Sequence, residues 1–142
     1  MPDSICPFIY SFTVNNMREE TRNWFKQAEH DLKTAKLLYR NKVYDSAAFY
    51  SFQSAEKALK ALSYSLGYIP KKTHNLLELV EVLRIKVPVM DELKKLTPHY
   101  TISRYPDAAN SIPSEIYTKG ISKGCIDSAE RVLKWVKEAL KR

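Results

Sequence analysis

The stretch from Tyr44 to Leu66 constrains this chain more than any other, because three unlike stripes run along it at helical spacing. Ala48, Phe52, Ala55, Leu59, Leu62 and Leu66 form a bulky apolar face. Ala47, Ser51, Ser54, Ala58, Ala61 and Ser65 form a second face of small residues only. Small side chains let another helix come close, so this helix is expected at the centre of a bundle, packed on two sides. The third stripe holds Phe49, Gln53, Glu56, Lys57, Lys60 and Tyr64. Glu56 and Lys60 make an ordinary i,i+4 pair, and such a stripe can be no more than the wet side of a helix. Its narrowness nevertheless makes it the best place in the chain for chemistry.

The rest of the sequence repeats the helical period. In a first helix opening near Met17, Trp24, Ala28, Leu32, Ala35 and Leu38 share one stripe, and Asn16 with Glu19 has the spacing of a capping box. Asp31 lies inside that apolar stripe. A carboxylate there is costly to bury unless a cation or donor reaches it, so Asp31 is expected to have a basic or hydroxyl partner on another helix. Gly67 ends the central helix, and Asn75 with Glu78 opens a third that carries Leu76, Leu79, Val80 and Leu83. A short helix is expected from Pro88 to about Thr97, and a last one from about Ser114 to Leu140 with Ala129, Val132, Leu133, Val136 and Leu140 facing inward. Gly120 and Gly124 weaken its first half, where a kink or a close helix contact is expected. The expected fold is all-α: a compact antiparallel bundle of four main helices plus a short extra helix.

At 142 residues the chain fits one domain, and only three glycines weigh against a turn-rich β fold. Residues 1–16 contain no lysine or arginine and are expected to be a loose or artefactual extension, leaving 17–142 as the domain. They lack the basic start and uninterrupted apolar core of a secretory signal, and no run is long enough to span a bilayer. Cys6 and Cys125 stand far apart, and His30, His74 and His99 are scattered, so no metal or other cofactor is expected and a reducing cytoplasm is the simplest location. Twenty-three Lys and Arg against sixteen Asp and Glu give a net charge of +7, which favours a polyanionic partner.

Between Pro98 and Pro113, in a segment expected as a loop, stands Arg104-Tyr105-Pro106-Asp107. Arginine offers a planar fork for phosphate and tyrosine a stacking face. The plainer alternative is an internal Arg104–Asp107 ion pair that pins the loop.

Four segments, in order, resemble the HEPN domain. They are Trp24-x3-Ala28-x2-Asp31-Leu32, Phe49-x3-Gln53-x2-Glu56-Lys57-x2-Lys60, Lys72-Thr73-His74-Asn75-Leu76, and Tyr100-x3-Arg104-Tyr105-Pro106-Asp107. The resemblance implies a helical bundle, commonly a homodimer, that handles nucleotides or RNA. It also implies a partner: many prokaryotic members are encoded beside a minimal nucleotidyltransferase and form half of a toxin–antitoxin pair. It points to Lys57, Lys60, Lys72, His74, Arg104, Tyr105 and Asp107 as ligand-binding positions, with Asp31, Gln53 and Glu56 as structural polar residues. Ribonuclease members carry an arginine and a histidine separated by four to six residues, and no arginine here has that spacing.

Three functions follow. In the first, Lys57, Lys60, Lys72 and Arg104 hold phosphates while Tyr105 or Tyr100 stacks a base, without catalysis. In the second, the chain is a metal-independent ribonuclease with His74 as base and Arg104 stabilising charge. In the third, the basic face only docks an acidic protein. His74 is also placed to do nothing more than close its loop through a backbone hydrogen bond, and His99, after Pro98, is expected at the surface or in a loop.

Overall fold

A computed structural model describes the backbone of residues 7–142 and the side chains from Met17 onward. Eight helices follow one another among these residues. They are α1 (Pro7–Arg40), α2 (Tyr44–Ser65), α3 (Leu76–Glu81), α4 (Met90–Leu96), α5 (His99–Ile102), α6 (Pro106–Ala109), α7 (Pro113–Ile116) and α8 (Lys119–Leu140). The all-α class is as expected. The helix passes through Asn16 instead of starting there, so Asn16 and Glu19 are no capping box. Of the expected extension, residues 1–6 lie outside the described residues, and residues 7–16 are described only as α1 backbone.

Two left-handed residues make the sharp ends of the long helices. Lys42 (φ 63°) follows α1, and Val43 N–H returns to Leu38 O at 2.9 Å. Gly67 (φ 86°) follows α2, and Tyr68 N–H returns to Ser63 O at 2.9 Å. Both bonds reach back five residues, which satisfies carbonyls the helix would leave open. Asn75 caps α3 by accepting from Leu77 N–H at 3.0 Å. Glu78, expected to complete a capping box, instead accepts from the Thr73 hydroxyl at 2.8 Å.

Helix α2 is central, with α1 on one side and α8 on the other. Its small face meets α1 closely enough for Ser54 Oγ to donate to Ala28 O at 2.7 Å, and Ala28, Ala35, Ala47, Ser51, Ser54, Ala58 and Ala61 are fully buried. Its bulky face joins Ala129, Val132, Leu133 and Val136 of α8 and the leucines of α3 and α4 in one core. Helix α1 runs antiparallel to both neighbours. Lys36 reaches Glu130, while Met17, Arg18 and Thr21, about five turns earlier on α1, share a hollow with Leu140 at the end of α8. Helices α2 and α8 are therefore parallel, because the chain from Gly67 to Thr118 carries the backbone back along the bundle.

The expected last helix is two. Tyr117 and Thr118 are extended, and Thr118 caps α8 by accepting from Ile121 N–H at 3.2 Å. The break precedes the glycines, and no helix closes on them: a Cβ at Gly124 would meet nothing within 4 Å, and one at Gly120 only the Thr118 hydroxyl at 3.9 Å. The expected loop around Arg104 consists of single helical turns, α5 and α6, joined by Ser103–Tyr105. No helix among the described residues is long and apolar enough to cross a membrane.

Candidate functional site

The polar stripe of α2 carries two carboxylate–amine centres one turn apart. At the first, Asp31 of α1 is only 2% exposed and bonds through Oδ2 to Lys57 Nζ. Its Oδ1 accepts from Gln27 Nε2 at 3.0 Å. Lys57 is thus the partner on another helix that a buried aspartate at this position demands. Gln27, one turn before Asp31, is a residue the sequence reading missed; its i,i+4 spacing was the available signal.

At the second centre, Glu56 is 3% exposed and takes Lys60 Nζ on Oε2 at 2.9 Å and His74 Nδ1 on Oε1 at 2.9 Å. A carboxylate only accepts, so Nδ1 carries a proton, and in the neutral imidazole the other ring nitrogen is the acceptor. Half of the His74 side chain is exposed. The backbone just after it is pinned twice: Asn75 N–H donates to Thr73 Oγ1 at 3.1 Å, and Leu76 N–H to Thr97 Oγ1 at 3.3 Å. His74 does more than close a loop through its backbone; a buried acid orients its ring.

An aromatic deck continues from this histidine. The His74 ring lies flat on Tyr100, centroids 3.9 Å apart and planes 13° from parallel. Tyr100 packs in turn on Phe52 and Phe49 of α2, at 5.3 and 6.2 Å. Arg104 closes the deck. Its guanidinium carbon is 4.5 Å from the Phe49 ring, 4.5 Å from Tyr100 and 4.7 Å from Tyr105. Nε donates back to Tyr100 O at 3.0 Å, so the two terminal nitrogens are the part of the fork left to face a ligand. The local sequence sets this pose. Pro106 starts α6, which holds Tyr105 extended (φ −113°, ψ 121°) and turns the chain just after Arg104.

The strip ends at Trp24, over whose ring Lys60 Nζ sits at 5.1 Å, while the indole N–H donates to Glu20 at 2.9 Å. Trp24 therefore stands at the edge of the site; the apolar stripe had suggested core.

The fold thus unites Asp31, Glu56, Lys57, Lys60, His74, Tyr100, Arg104 and Tyr105. It leaves three expected residues outside the bonded network. Lys72 is exposed two residues before His74, Asp107 is exposed in the first turn of α6, and Gln53 is half-buried on α2. Arg104 stacks on rings, and no ion pair joins it to Asp107 among the described residues.

His99 departs from expectation. It is half-buried, its Nδ1 shares a 2.6 Å hydrogen bond with the Tyr117 hydroxyl, and burial lowers its pKa. Tyr117 is buried and held above the usual phenol range, chiefly by desolvation. Nearby, Cys125 has no disulfide partner among the described residues, and burial pushes its thiol up to about 12, which disfavours the thiolate. No group of histidine, cysteine and acidic residues among the described residues is arranged to hold a metal ion.

The chain is similar to known proteins over most of its length. The profile of the HEPN domain matches residues 21–139. A protein of Methanocaldococcus jannaschii named "Putative toxin" is 30% identical over 131 residues, covering 83% of this chain and 86% of that one. The crystal structure of an archaeal HEPN homologue superposes with a TM-score of 0.74 at 36% identity, covering 84% of this chain and 97% of its own. A protein of Thermus thermophilus superposes with a TM-score of 0.76 at 31% identity, covering 83% and 96%.

Proposed function

The chain belongs to the HEPN family, and from that premise we propose that it is a nucleotide- or RNA-binding module of a toxin–antitoxin-like system, working with a nucleotidyltransferase partner. The Arg104 cradle carries this reading. Three aromatic rings and one backbone carbonyl fix the guanidinium while its terminal nitrogens stay open, which spares a phosphate the entropy of ordering a long side chain. Tyr105, 45% exposed beside it, offers a face to a base. Lys57 and Lys60 are committed to buried carboxylates, so they set the local field more than they grip the ligand. Lys72, exposed two residues before His74, and Asp107, exposed three residues after Arg104, supply outer contacts, and a homodimer would double the strip.

The test is a titration of fluorescently labelled single-stranded RNA at several salt concentrations. Saturable, salt-sensitive binding that weakens in folded Arg104→Ala protein is the expected result. Undiminished binding in that variant overturns the reading.

One observation favours a second reading, metal-independent RNA cleavage by Arg104 and His74. Glu56 holds the His74 ring in the tautomer a general base needs, and His74 and Arg104 touch the same Tyr100 ring. Incubating structured RNA with the protein in the presence of a chelator separates the two. Cleavage lost in both His74→Ala and Arg104→Ala establishes catalysis, and intact RNA leaves binding alone.

A further inference from the structure

A groove between α1 and α8 lies apart from the strip, on a side of α1 turned about 100° from Trp24. Its floor is apolar: Phe25, Leu32 and Leu133. Lys33 and Lys36 stand on the α1 rim, Lys134 and Lys137 on the α8 rim. Lys36 is paired to Glu130 at 2.6 Å, whereas Lys33, Lys134 and Lys137 are in no ion pair among the described residues. Glu29 is the one acid lining the groove.

An apolar seam with Lys33 on one rim and Lys134 and Lys137 on the other matches one kind of occupant closely. An amphipathic helix lays its apolar stripe into such a trough and offers carboxylates to both rims. A nucleic acid fits less well. The groove has no arginine fork, its single aromatic ring is half-buried, and a phosphodiester strand would leave the apolar floor uncovered. We propose that this groove docks an acidic amphipathic helix of a partner protein. The inference does not need the Arg104 site to bind nucleotides, since no residue is shared.

The test uses the full chain and fluorescence anisotropy. The probe is a labelled glutamate–leucine–alanine peptide of about three heptads, patterned for one apolar stripe. A scrambled peptide of identical composition and a labelled oligouridylate are titrated beside it. The patterned helix is expected to bind saturably and the scramble at least about tenfold more weakly, because only the helix can present a seam. Lys33→Glu/Lys134→Glu should weaken the helix by about tenfold or more, while Lys94→Glu, exposed on α4, leaves it unchanged. Far-UV circular dichroism of each variant verifies the fold. Arg104→Ala should bind the helix as the unchanged protein does, so loss of the nucleotide site and loss of the groove are separate results. The proposal is overturned if the patterned helix does not bind, if the scramble binds equally, or if Lys94→Glu costs as much as the groove variant. It is also overturned if oligouridylate alone depends on Lys33 and Lys134.

Discussion

His74 and His99 are built alike and serve opposite ends. Each ring is tied down through Nδ1 and each touches a tyrosine, His74 flat on Tyr100 and His99 edge-on to Tyr117. The partner makes the difference. A buried, acceptor-only carboxylate holds His74 and leaves half of its side chain in water. His99 faces a buried hydroxyl and is lowered toward its neutral form by the same burial. A histidine anchored by an acid at the surface is available for ligands, whereas one sharing a hydrogen bond with a core phenol is a polar closure of the core. The strip around His74 should therefore govern binding with little effect on stability, and the His99 pair the reverse.

The sharpest break in that contrast lies beneath the strip. Lys57→Met leaves Asp31 buried with only Gln27 as donor, and stability should fall by about 3 kcal/mol in a urea titration. Adding Asp31→Asn should recover most of it, since the second change removes the stranded charge. A loss that Asp31→Asn leaves uncorrected would mean that packing of the lysine stem matters more than the ion pair. Arg104→Ala comes next. Its RNA affinity should drop by roughly thirtyfold, about 2 kcal/mol for a charge-assisted contact, with the unfolding midpoint unmoved. A large shift of the midpoint would show that the guanidinium holds α5 and α6 in place and does not wait for a ligand.

Tyr117→Phe addresses the other histidine. Losing one partly buried hydrogen bond should cost about 1 kcal/mol of stability and leave RNA affinity intact. The smallest effect is in pH dependence. Because the folded pKa of His99 is below its ordinary 6.5, its contribution to stability is complete above that value. It declines as pH falls toward the lowered folded value, where the unfolded chain takes up the proton first. Chemical denaturation at stepped pH should show this slope in the unaltered protein and a shallower one in His99→Gln. Equal slopes would remove His99 from the account.

Much of this arrangement could be read from residue spacing, and the failures have physical causes. The three stripes of α2 correctly anticipated a central helix, because burial on two faces demands two kinds of side chain. The need of Asp31 for a cation on another helix followed from the cost of burying a carboxylate, although spacing could not show which lysine would supply it. Trp24 was misread because an aromatic ring suits a core and a cation equally well. The segment near Arg104 was expected as a loop because its prolines mark boundaries without telling whether one-turn helices lie between them. The pairing of His74 with Glu56 joins residues eighteen apart through the connection after Gly67, so no local pattern reveals it. His99 was expected at the surface or in a loop because it follows Pro98, whereas the return of the chain through Tyr117 covers it.

The most direct measurement follows the ring protons of His30, His74 and His99 by nuclear magnetic resonance while a short RNA oligonucleotide is added. The account predicts that the His74 resonances shift saturably and those of His99 stay in place, with Arg104→Ala suppressing the His74 shift. Stationary His74 signals under saturating RNA, or equal movement of His99, would contradict the assignment of the strip as the binding site.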